Sequence, residues 1–388
     1  MNADLFVAEP AQKRPIVVRL DAYALPDDHV VWKCSPGKTY RFYSVVRDAE
    51  VVFPDVRGLG GYIDSGRDWD DAEVLEIIAE DRWVRELESR ARGNKPNAGS
   101  DAVNPTDRTN LTFLKRLFFE AKKGDFVVVP AEGYDKEILF GEFLTDPSDL
   151  QVVEAKDGDH VGQYVGRPVR WRKRVIKRDL SPSLIDELHY RAAVFILSRS
   201  RAEDVYREVL GNFVIRGRYV AEFSTEKEKF TPEDFAVVSM WLNGMDYLRH
   251  EMAANPNLVL PTQMGFAAMG LERVPDDGAT ELRIEIQSPG EIFAKTVGPF
   301  ALTLMALMTL SGCSATDIID NGVTIEMKSV GDHAPDCHLE VEQSVNAQVR
   351  TMSYARLDEA NCLAERAKTD AGIKTAGRLK IDPQRVIG

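Results

Sequence analysis

The sequence predicts an α+β protein in two parts. A small β-barrel with flanking helices is expected over residues 1–198, followed by a separate α+β domain over residues 199–388. Three observations carry this. Short β-branched and aromatic runs, bounded by Gly, Pro and Asp, recur through the first 180 residues as barrel strands would. Stretches with apolar residues at three- and four-residue spacing predict helices among and after them. At 388 residues the chain is also too long for one ordinary core.

Composition sets the outer limits. A hydrophobic content of 44% and a charged content of 29% are ordinary for a globular protein and exclude wholesale disorder. The net charge of −13 argues against unselective coating of duplex DNA, which needs a broad basic face, but leaves room for a local basic site. Cys34, Cys313, Cys337 and Cys362 are scattered without a CxxC pair, which suits a reducing compartment. Met1–Arg14 is polar and carries no apolar signal core, so a cytoplasmic protein is expected.

In chain order, Pro15–Leu20, Val30–Cys34, Tyr40–Val46 and Glu50–Phe53 read as strands, with a Ser35-Pro36-Gly37-Lys38 turn among them. Gly58, Gly60 and Gly61 mark a loop. Asp71–Arg90 has helical period and an acidic first turn, which complements the helix dipole. Residues 91–110 are rich in Gly, Asn, Pro and Ser and read as a flexible loop, before a short helix over Leu111–Ala121. Phe126–Val129 and Glu137–Leu144 are strands, and Gly141 inside the second marks a bend or close approach. An acidic loop over Asp146–His160 leads into a basic strand, Arg167–Val175. Ser181-Pro182 and Thr231-Pro232-Glu233-Asp234 are helix starts, and Ser200-Arg201-Ala202-Glu203 has capping-box spacing. Further on, Glu281–Gln287, Val323–Met327 and Cys337–Val345 read as strands, Thr296–Leu310 as a buried helix and Arg356–Ala376 as a final helix.

The order Val31-Trp32, Ser35-Pro36-Gly37, Gly124-Asp125-Phe126-Val127-Val128-Val129-Pro130, Gly141, then Arg167-Pro168-Val169-Arg170-Trp171 resembles the PUA-like/EVE-type domain. That domain stands at the N-terminus of many modification-dependent restriction proteins, Mrr-type systems in particular. The resemblance covers roughly residues 28–198. It implies a small β-barrel that reads a modified or flipped base, in a bacterial or phage-related defence setting. The partner it implies is DNA, RNA or a nucleotide. No family pattern marks the C-terminal half, for which an effector or homo-oligomerisation role is the expectation.

A flipped base needs an aromatic face, polar edges and cations for the flanking phosphates. Trp32, Tyr40, Phe42, Tyr43 and Trp171 are the candidate faces, and Ser35 sits at the turn beside them. Arg167, Arg170, Arg172 and Arg174 lead the candidate cations, with no acidic residue from Arg167 to Arg178. Strand alternation sets Arg170, Arg172 and Arg174 on one face and Trp171 on the other. The competing reading makes Trp32 and Trp171 core residues and the basic run a solvated edge strand.

Two other readings concern the C-terminal half. Asp317, Asp320, Glu326 and Lys328 echo the D…ExK arrangement of Mg²⁺-dependent nucleases, in which carboxylates hold the metal and the lysine polarises water or phosphate. Mg²⁺ is a cofactor only on that reading; Asp320-Asn321-Gly322 also reads as a plain hairpin turn. Thr296–Leu310 is uncharged, which raises a membrane-perturbing effector, yet it is shorter than the roughly 20 residues a span needs. His333, Cys337 and His338 make half a metal site at most, and Cys34 reads as a buried thiol.

Overall fold

The computed structural model describes residues 15–64, 66, 68–91, 102–157, 160–225, 227, 229–255, 258–261, 263–275, 280–285, 290–330 and 336–380. The chain divides into two compact units. One is Asp28–Val209; the other is discontinuous and joins Met1–Asp27 to Leu210–Gly388. This differs from a division at 198/199 in two ways. The strand Ile16–Ala24 (β1) leaves the N-terminal portion, and the second crossing falls near the end of helix Arg199–Leu210 instead of before it.

The Asp28–Val209 unit contains β2 (Val31–Cys34), β3 (Val51–Val52), β4 (Phe126–Val129), β5 (Glu137–Phe143), β6 (Gln151–Asp157), β7 (His160–Ile176) and β8 (Val194–Ile196). Their order is β3-β7-β5-β4-β2-β8, with β6 also on β7. The 17-residue β7 organises the sheet. Its first part pairs with β6, Arg167 and Pro168 with β3, and its last part with β5. Changing partner along one strand curls the sheet. Gly166 stands at the change because a Cβ there would lie 2.3 Å from the Val52 carbonyl oxygen. The core within this curl is built on Trp32, Phe42, Phe53, Phe118, Phe143 and Tyr164, all essentially without solvent contact.

The other unit holds β1 with β9 (Asn212–Ile215), β10 (Arg218–Thr225), β11 (Thr280–Glu285), β12 (Gly290–Val297), β13 (Val323–Ser329), β14 (Ile373–Thr375) and β15 (Gly377–Leu379). The order is β11-β12-β10-β9-β1-β13, with β14 on β10 and β15 on β1. Helix Phe300–Leu310 lies in the core with all 11 residues buried. Helix Pro232–Ala254 starts at the expected place: Thr231 and Asp234 form a reciprocal capping box. Both units mix helices with mixed-direction sheets, as the α+β class requires.

Several local expectations are corrected. Tyr40–Val46 is not a strand: Tyr43–Ala49 is a helix, and Phe42 and Val46 meet the core four residues apart. Cys337–Val345 belongs to helix Cys337–Thr351, whose buried Cys337, Val341, Val345 and Val349 have a four-residue period. Gly58–Gly61 is not a loop throughout, since Leu59–Asp64 is helical and Gly60 packs against Gln163 and Val152. Part of the 146–160 loop is β6. Thr296 and Val297 end β12, so the helix begins only at Phe300. Asp320-Asn321-Gly322 is no hairpin turn: it ends helix Ala315–Asn321, with Gly322 at φ 72° as its C-cap. Helix Pro105–Lys115 begins inside the stretch read as loop, capped by Asn104, while residues 92–101 lie outside the described residues.

Candidate binding pocket and the basic strand

The Ser-Pro-Gly turn leads into the segment that forms one wall of a pocket, from Thr39 onward. The Ser35 N–H donates to the Ala193 carbonyl at 2.8 Å, and the Phe42 N–H to that of Pro36 at 3.0 Å. Gly37 takes φ 80°, which brings its α-carbon against the Phe42 ring. Thr39 and Tyr40 follow at φ 55° and 58°, two consecutive non-glycine residues in the left-handed region. Such conformations cost about 1–3 kcal/mol each and persist where the surroundings fix them. Here Phe42 fixes one side through its contacts with Phe53 and Tyr164. Arg41 fixes the other through Asp55, at 2.7 Å. Asp55 also takes Arg85 at 2.6 Å and the Lys38 N–H at 3.1 Å. Burial pushes its carboxyl up, but the two guanidinium groups outweigh burial and hold it below the ordinary range.

Thr39, Tyr40, Tyr43 and Arg47 line this side of a cavity of about 400 Å³. Ala131, Glu132, Asp135, Lys136 and Glu137 line the other, from the β4–β5 connection. The volume lies in the range of small-molecule sites. The Tyr43 hydroxyl donates to the Glu137 carbonyl at 2.7 Å. Burial and then Glu137 push its pKa up to about 12, against smaller lowering by Arg47 and Arg174, so it stays a donor at neutral pH. Burial and Glu132 likewise raise Tyr40. The connection is anchored to the end of β7 by Lys177 N–H to Lys136 O at 3.0 Å and Arg178 N–H to Tyr134 O at 3.1 Å. The site therefore offers two aromatic rings, three carboxylates and two cations at one opening.

The expected base-binding residues divide. Tyr40 and Tyr43 line the pocket, and Ser35 shapes it through its backbone. Trp32 and Phe42 are interior; the Trp32 indole donates to buried Asp125 at 3.1 Å, so neither ring is presented to a ligand. Arg167 is wholly buried and holds the carbonyls of Leu117, Ala121 and Thr145. It is a structural clamp, closed off from solvent. Arg170 and Arg172 both donate to Glu142, at 3.1 and 2.6 Å. Among the described residues Arg174 enters no ion pair, and its charge reaches Tyr43 and Asp48.

Trp171 covers Gly141, where a Cβ would lie 2.8 Å from the indole, and donates to the Arg47 carbonyl at 3.0 Å. Thus Trp171 and Arg174 both serve the helix Tyr43–Ala49, contrary to strict alternation. The register shift between Phe140 and Gly141 leaves Arg172 as an extra residue in β7, and a bulge reverses the facing of the residues beyond it. Thr39, Arg47 and the 131–137 connection are not among the residues that motif and composition single out. The signal available was an acidic connection with Gly133, at φ 82°, between two strong strands.

The D…ExK residues are not assembled into a site. Asp317 and Asp320 are on helix Ala315–Asn321, and Asp320 accepts the Tyr354 hydroxyl at 3.1 Å. Glu326 lies between Arg19 and Lys380, each at 2.9 Å, and Lys328 is taken by Asp21 and Tyr23. Among the described residues no three His, Cys, Asp or Glu side chains gather where a metal ion fits. His338 pairs with Asp336 at 3.2 Å, while His333 lies outside the described residues. Burial raises the Cys34 thiol to about 12, which makes it a poor nucleophile. Among the described residues no helix is long and apolar enough to cross a membrane.

Fold and pocket together define a two-unit α+β protein whose Asp28–Val209 unit carries an aromatic, carboxylate-lined cavity. Comparison of the chain with protein families, curated proteins and solved structures returns no match.

Proposed function

We propose that Asp28–Val209 is a PUA-like/EVE-type reader that takes a single nucleobase between Tyr40 and Tyr43, in a bacterial or phage-related defence protein. The cavity beside the Ser35-Pro36-Gly37 turn carries this reading. Its chemistry supports a base more than a phosphate. Glu132, Asp135 and Glu137 repel an anion but accept N–H donors, so bases with exocyclic amino groups are favoured over thymine or uracil. The phosphates then lie outside the carboxylates, where Arg174 supplies a cation, while Arg47 is already engaged by Asp48 at 2.7 Å.

The test is a binding screen of the full chain against single-stranded and mismatched oligonucleotides bearing modified and unmodified bases. Tyr40→Ala is expected to weaken binding by roughly 5- to 100-fold, the usual worth of a stacked base. Arg174→Ala should weaken all sequences alike and reduce the salt slope by about one, with Arg172→Ala changing less because Glu142 already engages that arginine. Undiminished binding in Tyr40→Ala, or thymine preferred over cytosine and adenine, counts against the reading.

A further inference from the structure

Beside the pocket, exposed aromatic rings stand near two buried lysines. Tyr134 follows pocket residue Glu132 by two positions and is 57% exposed. Its ring lies 6.3 Å from that of His189, and the Lys177 ammonium sits 5.3 Å from its centroid. The same Lys177 Nζ is 2.7 Å from His189 Nε2. Tyr190, next in the chain and 65% exposed, packs edge-on against Phe195 at 5.5 Å. Lys33 Nζ lies 5.4 Å from the Phe195 ring and donates to the Tyr190 and Ala192 carbonyls at 3.1 and 2.6 Å. Both lysines are buried, at 3% and 2% exposure.

Neither lysine meets a carboxylate among the described residues; their partners are His189, two carbonyls and aromatic rings. A buried charge is ordinarily paired, because leaving water without a counter-charge is costly. Here, among the described residues, Lys177 lies against the exposed Tyr134 ring and Lys33 against the half-buried Phe195 ring with no carboxylate at either. Burial, and then Lys177, keeps the His189 imidazole less basic than usual. Exposed Arg191 adds a positive charge at the border, where Arg178 offsets Asp135 at 2.9 Å.

We infer that Tyr134, His189 and Tyr190 form a stacking platform for a short single strand of nucleic acid, whose phosphates supply the charge that Lys177 and Lys33 lack. A base presents its face only when unpaired, so rings backed by cations fit a single strand and not a duplex. The acidic body, at −13, restricts such contact to a local path. The inference deepens the base-reading proposal and rests on it for the kind of ligand, adding the strand that flanks the base in the pocket.

The experiment measures fluorescence anisotropy of the full chain with a labelled mixed-sequence single strand of about ten nucleotides, within the usual range of site sizes, and with its duplex. Tyr134→Ala and Tyr190→Ala are each expected to weaken single-strand binding by roughly 5- to 100-fold, while Tyr190→Phe retains it. Lys177→Gln should lower the salt slope by about one. Unchanged strand affinity in both alanine variants overturns the platform, as does equal affinity for strand and duplex. Loss in those variants with Tyr40→Ala unaffected establishes the platform and overturns the pocket reading. Loss in Tyr40→Ala alone does the reverse, and failure of the wild-type chain to bind the strand overturns both.

Discussion

Lys33 shows how burial changes a residue that its neighbours in sequence describe poorly. Between Trp32 and Cys34 it sits in a strand whose four residues are all buried, so its ammonium reaches two carbonyls instead of water. Burial lowers its pKa from 10.5 to about 8. The native state thus releases the proton above pH 8 while the unfolded chain holds it until 10.5. The unfolded state binds more protons across that window, so this group's contribution to stability rises with pH there. Lys33→Met abolishes that dependence, and its stability relative to wild type should fall between about pH 7 and pH 10, by about 3 kcal/mol at most. Chemical denaturation of both proteins at the two pH values measures it; a parallel response would place the proton elsewhere. Residue type is legible in the sequence here, for Trp32 and Arg167 stand out as unusual. Their surroundings are not: an aromatic or a cation in a strand has the same letters whether it faces Asp125, backbone carbonyls or a ligand.

At the scale of elements, period is the dependable signal and its failures share a cause. Asp71–Ala91 and Pro232–Ala254 are long enough for the helical period to assert itself, and strong strands such as β4 and β5 need no partner to be recognised. Tyr43–Ala49 is only 7 residues and β-branched, so its four-residue spacing is masked by strand-like composition. The bulge in β7 is a different case, since it is fixed by the partner strand. Gly141 is the local sign of it, as the expected close approach, but the resulting reversal of Arg174 depends on register with Phe140. Gly141→Ala should therefore displace the Trp171 indole from the Arg47 carbonyl and destabilise the unit by about 1–3 kcal/mol, the range for overpacking. Because Arg47 lines the pocket, ligand affinity should fall with it. Tryptophan fluorescence and melting temperature report the two parts; an unshifted spectrum and midpoint mean that the indole is not pinned there.

For the whole molecule, the decisive feature is that β1 belongs with strands far down the chain, between Asn212 and Leu379. It pairs in parallel with β9 and β13 and antiparallel with β15. Ile16, Val18, Leu20, Ala22 and Ala24 are buried along it in strict alternation. Parallel partners arrive through crossovers, so nothing local to residues 15–24 announces which strands they join. That is why a boundary drawn along the chain attaches β1 to the wrong unit. The consequence is testable by dissection. A fragment of residues 199–388 loses an interior strand of its sheet, exposing the paired edges of β9 and β13 and the apolar face that β1 covers. It should fail to melt cooperatively and should aggregate. A fragment of residues 28–209 retains every strand of its own sheet and its separate core, and should fold and hold any base-binding activity. A synthetic peptide of residues 14–27 added to the 199–388 fragment should restore protection of the β9 and β13 amides in hydrogen exchange. Cooperative melting of 199–388 at the temperature of the intact chain would show that β1 is dispensable and that the discontinuous unit is not held together through it.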